Sequence, residues 1–177
     1  TSFSNWSSAS GTVNATSTIT ANFASTINSY NVNYDCTTNG GSGTVASVKV
    51  NYNADIDLTK TCTPKTGYTQ VGWNTNKDAT SKLDSLKMGT SGVTLYAIYK
   101  KNVAATFYYY DSDIKNVSSS CDIYNNNTSC SATVPLSTFK DTTSQYGSVY
   151  VGYGAVNTIG ANTASTVTLS NDATYYA

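Results

Sequence analysis

One pattern recurs three times along the chain and limits what it can fold into. A short phrase with an aromatic residue at or just before its end is followed, after a polar stretch, by a phrase that contains an aromatic residue and then Ala. Because self-similarity at a fixed period is the signature of repeat architectures, it predicts a repeating unit of about 75 residues. The three pairs of phrases are FSNW (3–6) with TITANFA (18–24), GYTQVGWN (67–74) with VTLYAIY (93–99), and YGSVYVGY (146–153) with TYYA (174–177).

This period divides the chain into three parts. We expect residues 1–26 to be the C-terminal part of a preceding repeat, residues 27–101 to be a complete module, and residues 102–177 to be a second, divergent module truncated at its last strand. The phrases YNVNY (30–34) and ATFYY (105–109) open the two later modules, and both alternate as a half-buried strand does.

The composition favours strands and excludes nucleic acid as a partner. Ser, Thr, Asn, Val and Tyr dominate the sequence, a mixture that suits strands joined by polar turns and disfavours helix interiors. All cationic side chains are Lys, none is Arg, and the formal net charge is zero, so no basic patch is available to neutralise phosphates. The sequence has no apolar stretch long enough to span a bilayer, which predicts no membrane insertion in this segment.

Residues 30–100 contain four predicted strands, near 30–36, 45–52, 68–73 and 92–100. The Gly-rich stretch NGGSG (39–43) supplies the positive-φ freedom that a hairpin turn needs between the first two. One short helical turn is predicted around 81–86. The large apolar side chains of Trp73, Tyr96 and Ile98 are the predicted core residues. The alternative for Trp73 is a sugar-stacking platform.

The same region resembles a known family. The segments that carry the resemblance are YDCTTNGGSGTV (34–45), VKVNY (48–52), KTGYTQVGWNT (65–75) and VTLYAIY (93–99). They are similar to the internalin-type B-repeat, or Listeria-Bacteroides repeat, of bacterial surface proteins. Residues 103–177 resemble a divergent relative that lacks the Asn-Gly-Gly loop and has Tyr153 in place of Trp73. The resemblance implies tandem small β-grasp-like repeat modules, so the expected fold class is mainly β with little helix.

The four Cys residues predict two disulfides. None of them has the C-x-x-C spacing of metal or redox sites, and the chain has no His to share a zinc site. Cys36 and Cys62 fall within one module, and Cys121 and Cys130 within the next, so we expect each pair to bond within its own module. Disulfides indicate an oxidising compartment, and the expected localisation is secreted or cell surface.

No arrangement of residues predicts catalysis, and we expect the chain not to be an enzyme and to need no cofactor. The absence of His excludes Ser-His-Asp and Cys-His chemistry. The carboxylate pairs Asp55 with Asp57 and Asp111 with Asp113 allow acid-base catalysis or calcium binding in principle, but solvated side chains explain them as well. Lys49 on a predicted strand is the best placed residue for an intramolecular isopeptide bond.

Two functions from different classes remain open. The first is a structural or adhesive repeat region, a stalk or spacer, whose neighbours are other repeats of the same chain. The second is a module that binds a host surface protein or glycan through exposed Tyr, with Tyr108 and Tyr110 of the FYYY run (107–110) as the candidate surface. A variant of these is a filament subunit that exchanges strands with its neighbours, which predicts self-association.

Overall fold

The computed structural model describes residues 2–7, 16, 18–24, 26–111, 113–139, 153–154 and 162–177, with only the backbone for Tyr110 and Asp111. The described chain is mainly β, as predicted, and its only helical element is a short 3-10 turn at Leu136–Thr138. The strands are β1 Ser2–Trp6, β2 Ala21–Ala24, β3 Ser29–Asp35, β4 Val45–Asn51, β5 Thr69–Asn74, β6 Val93–Asp111, β7 Asp113–Tyr124, β8 Cys130–Thr133, β9 Thr166–Leu169 and β10 Ala173–Tyr176. Within these ranges no helix has the length and apolar character needed to cross a bilayer.

The long strand β6 organises the main sheet, which has six strands. Its first part pairs in parallel with β3 and antiparallel with β5, while its later part pairs in parallel with β10. The hairpin partner β7 runs antiparallel along it from Lys100 to Asp111. Strand β4 forms an antiparallel pair with β3 at one edge of the sheet. Every other described strand of this sheet is therefore anchored, directly or through β3, to β6.

Alternation along β6 places two hydrophobic cores on the same face of one strand. Leu95, Ala97 and Tyr99 are fully buried in the first core, and Ala105 and Phe107 are fully buried in the second. These residues are all odd-numbered, and alternate side chains of a strand point to the same face. The first core is built from Val32, Tyr34, Cys36, Ile56, Trp73, Met88, Leu95, Ala97 and Tyr99. The second is built from Val103, Ala105, Phe107, Ile123, Ala132, Val134, Phe139, Tyr153 and Leu169.

The two cores are built around similar aromatic contacts. The rings of Tyr34 and Trp73 meet edge to face with centroids 5.1 Å apart, and those of Phe107 and Tyr153 meet in the same way at 5.7 Å. Each core also lies beside a parallel strand pair, β3 with β6 and β6 with β10. The division of the chain at residues 26 and 101, and the β-grasp-like class of each part, stay predictions. Strand β6 crosses the second of these boundaries without a break.

Two details of the predicted module were wrong. Residues 81–86 contain no helical turn but an irregular segment with bends, in which Leu83 N–H donates to the Trp73 carbonyl over 2.8 Å and Leu86 packs on the first core. Tyr96 is only half-buried and lies on the opposite face of β6 from the first core, in which Tyr99 is fully buried instead. Trp73 and Ile98 are buried as predicted, although Ile98 belongs to neither core cluster.

The N-terminal hairpin stands apart from both cores. Strands β1 and β2 pair antiparallel, with Phe3 opposite Phe23 and Trp6 opposite Ala21. The rings of Phe3 and Trp6 lie 5.3 Å apart, and both side chains are about half exposed to solvent. In the main sheet Trp73 lies opposite Ala97. If the phrases of the hairpin paired in the same way, Trp6 would lie opposite Ala24, so the hairpin has a different register.

The Gly-rich turn after β3 is shaped by close contact with Tyr99. Gly40 and Gly43 have φ values of 84° and 95°, which favour Gly. Gly41 lies against the hydroxyl end of Tyr99, and a Cβ there would overlap the phenolic oxygen and come within 2.7 Å of the Cys36 carbonyl oxygen. Because Tyr99 is fully buried, its ring has nowhere to move.

Gly41→Ala is therefore expected to lower the free energy of unfolding by about 1–3 kcal/mol, since overpacking a rigid core forces side chains and backbone to shift. Denaturant unfolding followed by circular dichroism measures the change. Gly89→Ala is the matched control, because no atom lies within 4 Å of a Cβ at that position. Equal stabilities of the two variants would contradict the packing argument.

Candidate functional site

The candidate ligand surface, which we call the tyrosine face, is centred on Tyr108. The side chain of Tyr108 is 37% exposed and stacks on Tyr176, which is 36% exposed, with ring centroids 5.7 Å apart and planes 23° from parallel. The pairing of β10 with β6 creates this contact by placing Tyr176 directly beside Tyr108. The prediction that alternate residues of the FYYY run differ in exposure holds for Phe107, which is fully buried, and Tyr108. The side chain of Tyr110 lies outside the described residues.

Polar side chains surround the stacked rings. Directly opposite residues of paired strands share a face of the sheet, so the partners of Tyr108 on β7 and of Thr106 on both neighbouring strands belong to the same surface. The hydroxyls of Thr106 and Ser118 are 3.1 Å apart. The members of the tyrosine face are Thr106, Tyr108, Asn116, Ser118, Thr174 and Tyr176. Aromatic planes flanked by hydroxyl and amide groups are suited to polar ligands such as glycans or protein surfaces.

A second feature lies at the end of β7 beside Tyr99 of the first core, and we call it the asparagine junction, formed by Asn39, Asn125 and Asn126. Asn125 ends the β6–β7 hairpin with φ 54° and is buried. Its side-chain oxygen accepts from the Tyr99 N–H at 3.1 Å, and its backbone N–H donates to the Tyr99 carbonyl at 2.9 Å. These bonds fix the end of the hairpin against the centre of the first core.

Further hydrogen bonds join the asparagine junction to the loop at residues 77–79 and to β6. The Asn125 amide donates to the carbonyls of Lys77 and Ala79 at 3.2 Å and 3.0 Å. The Asn39 amide donates to the Lys77 and Ala97 carbonyls, both at 2.9 Å. A polar cavity of about 340 Å³ adjoins these residues. Because buried amide groups are costly unless they are paired, this network ties the hairpin and the loop at residues 77–79 into one arrangement.

The junction amide of Asn126 and the ammonium group of Lys65 add two further bonds across the same region. Asn126 donates to the Thr38 carbonyl at 2.8 Å, and Lys65 Nζ donates to the Asn125 carbonyl at 2.7 Å. Sequence reasoning placed Asn39 in a turn but gave no role to Asn125 or Asn126. The NNN run (125–127) after a strand does indicate a turn, because Asn tolerates the left-handed region. Its long-range partners cannot be read from the sequence.

Both disulfides form with the predicted connectivity. Cys36 bonds to Cys62, and Cys121 bonds to Cys130, with Cα atoms 5.6 Å and 6.0 Å apart. Cys36 immediately follows β3 and is buried in the first core, while Cys121 lies on β7 and Cys130 begins β8. The first bond connects the end of β3 to the segment before Pro64, and the second joins β7 to β8 beside the second core.

The remaining candidate groups have structural partners or stand in solvent. Asp55 forms an ion pair with Lys87 at 3.0 Å, and Asp57 accepts from Thr59 within its own turn. Lys49 is exposed on β4, so it lacks the burial that an isopeptide-forming Lys needs. Among the described residues, no group of three or more Cys or Asp side chains is arranged to hold a metal ion. The side chain of Asp111 lies outside the described residues, and Asp113 accepts from the Ile114 N–H at 2.7 Å.

Several ionisable groups have shifted pKa values. Hydrogen bonds from Thr59 and an ion pair with Lys60 lower the pKa of Asp57 to about 2. Burial would raise the pKa of Asp35, but hydrogen bonds from Thr38 and Thr37 outweigh it and lower the pKa. Burial, together with the negative charge of Asp35, raises the pKa of Tyr99 to about 12.

These shifts predict how stability depends on pH. The lowered pKa of Asp57 stabilises the fold above the unfolded value near 4, and this contribution is lost as pH falls towards about 2. The raised pKa of Tyr99 stabilises the fold below the unfolded value of 10, and this contribution is lost as pH rises towards about 12. Because the chain has no His and its cysteines are all in disulfides, we expect a constant melting temperature between about pH 5 and pH 9.

Thermal unfolding at a series of pH values tests this expectation. Asp57→Asn should make the melting temperature fall less steeply at acid pH, because it removes one of the carboxylates with a lowered pKa. A melting temperature that changed by several degrees between pH 5 and pH 9 would contradict this expectation, since the chain has no His and its cysteines are all in disulfides.

Part of this chain is similar to a known family of repeat domains. The family model of the Listeria-Bacteroides repeat domain matches residues 30–98, which run from β3 into β6 and contain every residue of the first core except Tyr99. We call residues 30–98, which match this family, the repeat domain. The resemblance inferred from residues 34–99 is thereby confirmed. The repeat domain includes Cys36, Cys62 and Trp73, while the tyrosine face lies beyond its C-terminal end.

A curated relative extends the comparison. A protein of Evansella cellulosilytica named as a Gly-rich membrane protein is 33% identical over 82 residues, which make up 44% of this chain and 10% of that protein. The chain thus corresponds to about a tenth of the length of this relative. No solved structure matches the chain at the same level of significance.

Proposed function

We propose that this chain belongs to the repeat region of a secreted bacterial cell-surface protein and serves there as a spacer without enzymatic activity. The repeat domain at residues 30–98 and the similarity to a long protein named as a membrane protein support this placement. On this proposal residues 102–177 are a second, divergent module. The parallel pairing of β6 with β10 and the contact between Phe107 and Tyr153 support that assignment, because β3, Tyr34 and Trp73 make corresponding contacts in the first.

The observation that carries the proposal is the continuity of β6. This strand is the last strand of the repeat domain and the first strand of the segment that follows, without an intervening loop. Its 19 residues span about 60 Å at the usual rise of a strand. The asparagine junction fixes the neighbouring hairpin to the repeat domain. Such a joint holds successive modules in a fixed relation, which is what a spacer requires.

Display on a Gram-positive cell tests the spacer function. A short epitope is placed ahead of this chain, which is anchored to the cell wall, and antibody access to the epitope is measured. We expect access to be lost when the chain is deleted and restored when an unrelated β domain of equal length replaces it. The control variant Tyr108→Ser/Tyr176→Ser should retain full access. Access that does not depend on the chain at all would refute the proposal.

The exposed Tyr pair favours a second candidate, a binding module for a host surface protein or glycan. Two stacked rings on an otherwise polar face are an arrangement that such ligands use. Binding of the purified chain to an immobilised glycan panel and to mucin tests this function. Tyr108→Ser should reduce binding, whereas Tyr52→Ser, which alters another exposed Tyr, should not. Equal binding by both variants, or none by the unmodified chain, would remove this candidate.

Strand exchange between copies is the remaining alternative. The exposed rings of Phe3, Trp6 and Phe23 in the N-terminal hairpin favour self-association, because clustered apolar side chains on a surface promote contact. Light scattering over a wide concentration range distinguishes the outcomes. A mass that rises with concentration supports association, and a constant monomer mass excludes it.

A further inference from the structure

The terminal strands of the repeat domain are neighbours that run in the same direction. Val32–Asp35 of β3 pair in parallel with Val93–Tyr96 of β6. Tension applied to the two ends of the domain pulls the start of β3 one way and the far end of this part of β6 the other way. The two strands must then slide past each other, so the hydrogen bonds between them are loaded together and not one after another.

A second pair with the same geometry follows along the chain. Ala105–Tyr108 of β6 pair in parallel with Ala173–Tyr176 of β10, the last described strand. Tension that enters through β6 and leaves through the end of β10 again loads the pair in shear. Because β6 takes part in both pairs, it transmits tension from one to the next through an extended backbone that has almost no slack to give.

Further hydrogen bonds, most of them from side chains, extend both pairs beyond the paired strand residues. The phenolic hydroxyl of Tyr99 donates to the Cys36 carbonyl at 2.9 Å, and the Asn39 amide donates to the Ala97 carbonyl at 2.9 Å, so residues just after β3 also hold β6. In the second pair, the Ala177 N–H donates to the Tyr108 carbonyl at 2.8 Å and the Asp172 carboxylate accepts from the Ala104 N–H at 2.9 Å.

We propose that the chain resists tension along its length, with the β3–β6 and β6–β10 pairs as two mechanical clamps in series. This function goes beyond that of a spacer, since a spacer needs length and a fixed shape but no resistance to pulling. A protein that holds a cell to a surface under flow would need both properties.

The disulfides determine how much chain each clamp releases when it opens. Cys36 follows the β3 part of the first clamp, and its bond to Cys62 keeps a segment of 26 residues closed after the domain unfolds. This shortens the released chain by about 90 Å at the length of an extended residue. The bond between Cys121 and Cys130 joins residues separated by 9 positions and shortens the release from the second module by about 30 Å.

Single-molecule pulling on the full chain tests the first clamp by comparing two directions. Attachment points at Asn28 and Asn102 load the β3–β6 pair in shear. Attachment points at Asn28 and Tyr52, which are joined by a backbone hydrogen bond of 2.8 Å, separate the antiparallel β3–β4 pair one bond at a time. Both experiments pull on the same strand β3 of the same protein, in shear against β6 in the first and in peeling against β4 in the second.

We expect the shear direction to need several-fold more force than the peeling direction at the same pulling speed. A reducing agent should lengthen the shear event by about 90 Å, which identifies it as the opening of the repeat domain. Equal forces in the two directions, or a lower force in shear, would overturn the proposal. Such a result would leave the spacer function intact, because epitope access on cells depends on length and not on resistance to force.

Discussion

Trp73→Ala is expected to destabilise the repeat domain by about 3–5 kcal/mol, the largest effect of any single substitution considered. Trp73 is almost completely buried in the first core and packs edge to face on Tyr34. Its indole N–H donates to the Lys60 carbonyl at 2.7 Å, so the substitution also leaves that carbonyl without this partner. Urea unfolding followed by far-ultraviolet circular dichroism measures the loss.

Trp6→Ala is the matched control for this experiment. It removes the same side chain from the N-terminal hairpin, where Trp6 is 55% exposed, and it should change stability by about 0.5 kcal/mol or less. Trp73→Phe should lie between the two, since it keeps the ring but not the hydrogen bond. If Trp73→Ala cost no more than Trp6→Ala, Trp73 would not be the anchor of the core, and a role in binding sugars would regain weight.

Loss of the bond between Cys36 and Cys62 is expected to cost up to about 3.5 kcal/mol, and loss of the bond between Cys121 and Cys130 up to about 2.5 kcal/mol. The difference follows from the lengths of the closed segments, 26 and 9 residues, because a longer closed segment restricts the unfolded chain more. Stability is measured for the double variants Cys36→Ala/Cys62→Ala and Cys121→Ala/Cys130→Ala.

The two double variants serve as controls for each other, since each removes one bond and two sulfur atoms. Reduction of the unmodified chain should lower stability by roughly the sum of the two losses. A larger loss from the shorter segment would show that native packing around the sulfur atoms, and not restriction of the unfolded chain, is the source of the stabilisation.

The strands of the repeat domain were largely predictable from the sequence because each carries a local signal. The alternation in YNVNY (30–34), the Gly-rich turn at 39–43 and the phrase ending in Trp73 predicted β3, β4 and β5 to within about two residues. The family resemblance of residues 34–99 was also correct. These features are local, so they do not depend on knowing which strands become neighbours.

What the sequence did not predict depends on contacts between distant residues. The extended segment at 81–86 has a spacing of Leu residues that suits a helical turn, but packing of Leu83 and Leu86 on the first core decides its conformation. Tyr96 has the residue type of a core position, but side chains alternate along β6, so Tyr96 points away from the first core and Tyr99 points into it. The junction role of Asn125 depends on Lys77, Ala79 and Tyr99, which are 26 to 48 positions away.

The candidate ligand surface was predicted in part. Tyr108 was chosen because alternate residues of a strand face opposite sides. The stacking of Tyr176 on it depends on the parallel pairing of β10 with β6, and no local pattern near either residue indicates that pairing.

The uninterrupted course of β6 also limits how a gene encoding such a chain can change in length. Inserting one codon between those for Tyr99 and Val103 would turn Val103, Ala105 and Phe107 from the interior to the solvent side, because the side chains of a strand alternate. Duplicating a whole module does not change which side chains of β6 face the interior. If residues 102–177 are a second module, as proposed, natural variants of such a protein are expected to differ by entire modules, with the stretch between Tyr99 and Val103 constant in length.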